Sequence, residues 1–373
     1  MEWHAPQIVR RNSRQIKVGS VLVGGGAPIS VQSMTCTETL DVAATVAQVQ
    51  ALSDVGADIV RVSVPSMEAA AAFKSIVAQS PVPIVADIHF DYRIAIACAE
   101  NGAAALRINP GNIGARHKVE AVCQAAKDHG LPIRVGVNAG SLDKDLLEKY
   151  GAPNPEAMVE AALRSAEILE SHNFVDYAFS VKASELYLCV AAYELLAQKT
   201  DAPLHLGITE AGGLTAGTVL SSIGIGMLLQ KGIGDTLRVS LAADPVEEVK
   251  VGWAILKSMH LRSRGVNIVA CPTCSRRGYD VVGTVQTLEQ RLADIRKPIK
   301  IAIMGCVVNG PGEALHADVA ICGGKNGKCL IYERGELMGR IGTEEILERV
   351  ESRVRALAAG DEAPDTKVNS VSK

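Results

Sequence analysis

Between Ile29 and about Met259, short β-branched runs alternate with longer alanine-rich stretches whose apolar residues recur every three or four positions. That alternation is the pattern of repeated strand-helix units feeding a parallel sheet. The strand-like runs are ISVQS (29–33), DIVRVSV (58–64), PIVADIH (83–89), ALRIN (105–109), IRVGVN (133–138), DYAFSVK (176–182), PLHLGITE (203–210) and DTLRVSL (235–241). In the first unit Asp41 fits the N-cap of the following helix, Val42, Val46 and Val49 supply helical spacing, and Gly56 marks its end. Eight consecutive units match the count and length of a (β/α)8 TIM barrel. A doubly wound open sheet would carry a glycine-rich nucleotide turn after its first strand. None follows Ser33, and Gly24-Gly25-Gly26 precedes that strand, where it reads as a hairpin or loop.

Past Met259 the pattern changes. A basic connector with Arg262 and Arg264 leads into a smaller α+β unit from about Val266 to Ala358, closed by a helix over 344–359. The run Gly323-Gly-Lys-Asn-Gly-Lys328 resembles the end of a phosphate loop, but Cys322 stands where the first glycine is required, so it reads as a turn. The expected organisation is therefore α/β: a TIM-barrel domain over 1–260, a smaller domain over 265–358, and a polar, flexible tail over 359–373.

Composition narrows the function. Of 373 residues, 48% are hydrophobic and 21% charged, with 38 basic against 41 acidic side chains, which is ordinary for a globular protein. With no positive excess and only 3% aromatic residues, the chain lacks the phosphate-binding and stacking groups of a nucleic-acid binder. Nine cysteines are too few for a disulfide scaffold and cannot all pair, which points to a reducing cytoplasm. Arg10-Arg11 has the look of a twin-arginine leader, but Lys17 and Gly24 to Gly26 break any apolar stretch behind it. The uncharged segment 212–230 is marginal in length and carries Thr215, Thr218, Ser221 and Ser222. It reads as an amphipathic buried helix, not a membrane span.

In such a barrel the active site lies at the C-terminal ends of the strands. There the sequence places Arg61, Asp87 and His89, Arg107 and Asn109, Arg134 and Asn138, Lys182, Glu210, and Arg238 with Ser240. Five cations thus converge, and charges inside strands are costly to desolvate without an opposite charge. Only Asp87 and Glu210 stand out as internal partners. The surplus fits a small, multiply charged phosphate ester held by arginine forks and a lysine. Glu210 and Asp87 are either general acid/base groups or counter-ions, and the lone His89 reads as structural.

Cys271-Pro-Thr-Cys274 opens the smaller unit, and Cys306 follows a second apolar run inside Gly-Cys-Val-Val-Asn-Gly-Pro-Gly-Glu313. Three thiolates with glycines around them suit a metal. Structural zinc wants four protein ligands, whereas an iron-sulfur cluster can keep one iron with an exchangeable ligand. Cys98, Cys123 and Cys189 fall in helical patterns as small hydrophobes, Cys36 follows the first strand near the mouth, and Cys322 and Cys329 flank the Gly-Lys turn as structural thiols.

CPTC at 271–274, GCVVNGPGE at 305–313, LRINPGNIG at 106–114, VQSMT at 31–35 and GITEAG at 207–212 together resemble the 4-hydroxy-3-methylbut-2-enyl diphosphate synthases of the methylerythritol phosphate route, in their two-domain bacterial form. The resemblance spans the chain to about residue 358. It implies a 4Fe-4S cluster on Cys271, Cys274 and Cys306 with Glu313 as a displaceable fourth ligand. It implies 2-C-methyl-D-erythritol 2,4-cyclodiphosphate as substrate, held by Arg61, Arg107, Arg134, Asn138, Lys182, Arg238 and Ser240, with Asp87, Asn109 and Glu210 near the reacting carbons. It also implies a two-electron reductive ring opening with loss of water, a flavodoxin or ferredoxin donor, and a head-to-tail homodimer. Cys322 and Cys329 fall outside the family pattern and leave oxidative side reactions or a second metal open. The rival readings are a pterin-type barrel transferase with a structural zinc domain and an iron-sulfur redox sensor.

Overall fold

The computed structural model describes residues 7–271 and 274–360, and its two compact units divide between Arg262 and Ser263. The first opens with an antiparallel hairpin, β1 (Ile16–Val18) and β2 (Val21–Val23). Eight parallel strands follow: β3 (Ser30–Met34), β4 (Ile59–Ser63), β5 (Ile84–Asp87), β6 (Ala105–Ile108), β7 (Ile133–Asn138), β8 (Tyr177–Lys182), β9 (His205–Leu206) and β10 (Thr236–Leu237). Their order, β8-β7-β6-β5-β4-β3-β10-β9, is that of a barrel, and a bridge between Phe179 and Leu204 closes the β8/β9 seam. All eight predicted strands are present. The last two are shorter than expected; beyond Leu206 the chain leaves the sheet on its way to Glu210, which takes a left-handed backbone with φ 55°.

The helices between the strands are α1 (Val42–Asp54), α2 (Met67–Gln79), α3 (Tyr92–Glu100), α4 (Pro110–Ile113), α5 (Arg116–Asp128), α6 (Lys144–Tyr150), α7 (Pro155–Ser171), α8 (Leu186–Lys199), α9 (Leu214–Gln230) and α10 (Pro245–Ser258). Asp41 caps α1 by accepting from the Ala44 amide at 2.9 Å, and Gly56 follows its end at φ 103°. Helix α9 differs from the expected amphipathic pattern. Its C-terminal half buries Ile225, Leu228 and Leu229, but over the first half the buried face is small, with Gly217, Ser221 and Gly224, while Val219 and Ile223 face outward. Close packing explains the small residues, since a Cβ on Gly224 would stand 2.7 Å from Ile208. No helix of the described residues is long and apolar enough to cross a membrane.

Arg10 and Arg11 fasten the N-terminal segment to the barrel. Arg10 pairs with Asp235 at 3.1 Å, and Arg11 donates to the carbonyls of Thr200 and Ala202 at 2.5 and 2.6 Å. Asp235 also accepts from Ser13 Oγ and the Leu204 amide. The hairpin side chains Ile16, Val18 and Val23 pack on Ile59, Val85, Ala105 and Ala178, sealing one end of the barrel with an apolar layer.

The second unit is a five-stranded sheet in the order β11 (Val266–Cys271), β12 (Ile299–Met304), β13 (Val319–Gly323), β14 (Lys328–Glu333), β15 (Glu336–Gly342), parallel through β13 and antiparallel thereafter. Helices α11 (Val281–Arg291) and α13 (Ile346–Ala359) cover one face over a core containing Ile301, Ile303, Cys329, Val350 and Val354. The short α12 (Gly310–Ala314) lies on the other face with Met304, Cys322 and Tyr332. The Gly-Lys run is the β13/β14 turn, as expected. Of the polar tail, residues 361–373 lie outside the described residues.

Candidate active site

Strand periodicity decides which side chains enter the barrel. On β3, Ser33 donates to Glu248 of α10 at 2.9 Å, and a Cβ on Gly252 of that helix would touch Val31. Residues 31 and 33 therefore face the helices, leaving Ser30, Gln32 and Met34 inside. Register carries the same face around the sheet: Met34 lies beside Arg61, Asp87 beside Arg107, Arg107 beside Arg134, and Asn138 beside Lys182.

The cations have few partners. Asp87, 4% exposed, lies 3.2 Å from Arg107 and 3.8 Å from Arg61, with His89 at 3.7 Å. Burial alone would raise its pKa, but the His89 hydrogen bond and the charges of Arg61 and Arg107 hold it well below the usual carboxylate range. Arg61 also donates to Met34 Sδ at 2.8 Å; desolvation lowers its pKa to about 10. Arg238 pairs with Glu248 at 3.2 Å. Arg134 and Lys182 are both buried, and among the described residues neither side chain has a hydrogen-bond or ion-pair partner. Burial, with the neighbouring cations adding to it, pushes both well below their ordinary pKa values. A guanidinium does not deprotonate, so at Arg134 this direction measures an unmet demand for an anion.

Glycines make room for this crowd. A Cβ on Gly136 of β7 would stand 2.6 Å from the Arg107 guanidinium, and one on Gly207 would stand 2.6 Å from Lys182 Nζ. Both sit at inward positions, so their missing side chains leave the space the long cations occupy.

Two assignments change. Glu248, not Glu210, is the second internal counter-ion. It is 3% exposed and accepts from Ser33, Arg238 and the Leu241 amide. Its signal was present in Asp244-Pro-Val-Glu-Glu248, which starts a helix and places Glu248 on the buried face with Val249, Gly252 and Trp253. Glu210 is exposed, and its carboxylate has no partner among the described residues. Asn109 caps α4, its Oδ1 accepting from the Gly111 amide at 3.1 Å. Asn138 and Ser240 are half-buried at the ends of their runs, without a side-chain hydrogen bond among the described residues.

In the second unit, Cys271 ends β11 opposite Met304, the last residue of the neighbouring parallel strand β12, and Cys306 follows two residues past that strand's end, so both lie at the same end of the sheet. The Arg277 amide donates to the Cys274 carbonyl at 3.1 Å, and the Gly278 amide to the Gly305 carbonyl at 2.8 Å, which binds the two cysteine loops by their backbones. Glu313 is half-buried on α12. Pro272 and Thr273, between Cys271 and Cys274, lie outside the described residues. Among the described residues no three His, Cys, Asp or Glu side chains are already gathered around one ion. The donor set nevertheless fits a wider thiolate-held group: these three cysteines are at least partly exposed at one edge, while five of the other six are fully buried. Cys322 and Cys329 pack into cores on opposite faces of the sheet. Burial raises both thiols, Cys322 to about 12. Facing opposite sides of the sheet, the two thiols do not meet each other in the folded chain, either as a disulfide or around a shared metal.

A closed barrel with five inward cations, two of them unpartnered among the described residues, and two buried carboxylates defines an enzyme for a small polyanion, and the sheet domain that follows carries the three cysteines. Residues 13–253 match the GcpE TIM-barrel domain and residues 267–356 the GcpE protein C-terminal domain, and the chain belongs to the GcpE family. It is 59% identical over 360 residues to a protein of Acidithiobacillus ferrooxidans, covering 96% of this chain and 98% of that one. It is 61% identical over 363 residues to one of Mannheimia succiniciproducens, covering 97% and 98%, and 61% identical over 360 residues to one of Haemophilus influenzae, covering 96% and 98%. All three are named 4-hydroxy-3-methylbut-2-en-1-yl diphosphate synthase (flavodoxin).

Proposed function

We infer that the chain is a 4-hydroxy-3-methylbut-2-en-1-yl diphosphate synthase, reductively opening 2-C-methyl-D-erythritol 2,4-cyclodiphosphate with loss of water in non-mevalonate isoprenoid synthesis. The observation that carries this reading is the pair of buried, unpartnered cations Arg134 and Lys182 amid Arg61, Arg107 and Arg238. Arg61, Arg107, Arg134, Lys182 and Arg238 hold the diphosphate, with Asn138 and Ser240 adding hydrogen bonds and Asn109 lining the mouth. Asp87, kept ionised, fixes Arg61 and Arg107 and is a counter-ion, not a proton donor. Glu210 supplies the proton to the departing hydroxyl, its exposed carboxyl standing past the end of β9 without a partner among the described residues. Its left-handed backbone is the sort of strain that functional positions retain.

Cys271, Cys274 and Cys306, with Glu313 as the displaceable fourth ligand, would hold a 4Fe-4S cluster that supplies electrons one at a time. A flavodoxin or ferredoxin delivers them, and the enzyme works as a homodimer. The pterin-type transferase reading is disfavoured, since relatives covering nearly the whole chain carry the synthase name. Anaerobic purification with iron, sulfide and electron paramagnetic resonance measurements tests the proposal. A brown protein with about four irons per chain, lost in Cys306→Ala and altered in Glu313→Ala, supports it; a colourless protein holding one zinc on the same cysteines overturns it.

A further inference from the structure

We propose that the barrel interior contains a bound-water site formed by Gln32, Arg134, His205 and Thr236, and that His205 acts through it as a positioning residue for Arg134. The proposal rests on the reading that Arg134 holds the diphosphate.

All four side chains belong to barrel strands and are more than nine-tenths buried, at 4%, 7%, 1% and 6% exposure. Thr236 lies in register with His205 on one side and Ser30 on the other. Each of the four carries a buried polar atom without a protein partner: Gln32 Oε1, Arg134 Nη2, His205 Nε2 and Thr236 Oγ1. Together they line one pocket of about 30 Å³ at the barrel end that the hairpin side chains Ile16, Val18 and Val23 cover. Unsatisfied groups this deep are expensive, and buried waters typically make about three hydrogen bonds to such groups. A water needs roughly 10–15 Å³ for its centre to move in, so the pocket has room for one or two.

The donor set selects water over an anion. Arg134 Nη2 can only donate and Gln32 Oε1 can only accept, while the Thr236 hydroxyl and a neutral His205 nitrogen take either role. A chloride would satisfy Arg134 but face the Gln32 carbonyl oxygen directly. Water accepts from Arg134 and from one of His205 and Thr236, and donates to Gln32 and to the other, completing the set. Burial, reinforced by Arg134 and Lys182, keeps His205 uncharged, so it adds a hydrogen bond without adding a sixth cation. Arg134 is thereby held on its inner side, leaving the rest of its fork for the ligand.

The test uses the full-length, anaerobically purified protein. A high-resolution crystal structure with a bromide soak should show one or two waters in the cavity and no anomalous bromide peak; empty density or bromide there overturns the water site. Calorimetric titration with inorganic pyrophosphate then compares variants. His205→Leu should weaken binding roughly tenfold, the worth of one hydrogen bond to a charged group, and His205→Gln should recover most of it. In turnover assays the same loss should fall on KM, with kcat within about twofold. Thr236→Val, which keeps the side-chain shape, should weaken pyrophosphate binding by a smaller factor if His205→Leu fails to fold. Unchanged binding in both His205→Leu and Thr236→Val overturns the positioning role. If Arg134→Ala also leaves pyrophosphate binding unchanged, the diphosphate reading falls; if Arg134→Ala abolishes binding while the cavity variants do not, only the positioning role falls.

Discussion

The cationic barrel interior and the cysteine edge of the second unit are both proposed to hold a charged group, but the chain prepares them by different means. In the barrel, preparation is electrostatic: Lys182 and Arg134 are buried among like charges and their own chain leaves them unsatisfied. At the cysteine edge, preparation is geometric. Backbone bonds such as Gly278 to Gly305 fix the loops while the thiol side chains stay partly open. The first arrangement is destabilised until its ligand arrives, and the second is tied down before it does. Removing a charge should therefore relieve the first, and adding a carbon should damage the second.

The largest effect is expected from Lys182→Met. Losing a buried cation that meets the anion should reduce pyrophosphate affinity about a hundredfold or more by calorimetry, while the ligand-free variant melts at a higher temperature than the parent because repulsion is relieved. A lower melting temperature would show that Lys182 has a structural partner in the barrel and would break the contrast.

Next comes a pair of glycines in one motif. A Cβ on Gly310 would collide with the Sγ of Cys322, whereas nothing lies within 4 Å of one on Gly312. Gly310→Ala should cost about 2 kcal/mol by denaturant unfolding and lower the bound iron, and Gly312→Ala should leave both within error. Equal effects would mean that backbone packing is not what prepares this edge.

A smaller effect concerns protons. The folded pKa of Lys182 lies below its ordinary 10.5, so between those two values the unfolded chain binds more protons and stability rises with pH. The penalty is fully present below the folded value and gone above 10.5. Melting temperature of the ligand-free protein should climb through that window, and Lys182→Met should flatten the slope. Pyrophosphate binding, measured in buffers of different ionisation enthalpy, should be accompanied by uptake of at most one proton. The smallest effect is a null one: after mild oxidation, peptide mapping should find no Cys322–Cys329 disulfide, since the two thiols face opposite sides of the sheet.

The two regions also differ in how far the residues announce them. The barrel was legible because its period of two and its helical spacing persist through eight units, and the same period put Arg61, Arg107, Arg134, Lys182 and Arg238 on the inner face. The cysteine motifs were legible because they are local. Glu248 was missed since it reaches the site from a helix, where an Asp-Pro-Val-Glu-Glu start reads first as a dipole-friendly first turn. The interior roles of Gly136 and Gly207 were missed for a related reason: a glycine that exists to admit a side chain from the neighbouring strand has no signature of its own. The water site depends on Gln32, His205 and Thr236, ordinary strand residues whose shared cavity exists only once the barrel has closed.

That closure is uneven. Strands β7 and β8 share a register running from Ile133 with Tyr177 to Asn138 with Lys182, whereas β8 and β9 meet in a single bridge. Glu210 is carried beyond the two-residue β9, so the acid of the proposed reaction hangs from chain that has left the sheet, while Lys182 ends the six-residue ladder that β8 shares with β7. A cyclic substrate that becomes an open chain changes shape at its carbon end and keeps its diphosphate end. The proposed phosphate contact at Lys182 thus comes from fully paired strand and the proposed acid from unpaired chain, so fewer ladder hydrogen bonds stand in the way of a shift at the end of the ligand that changes shape.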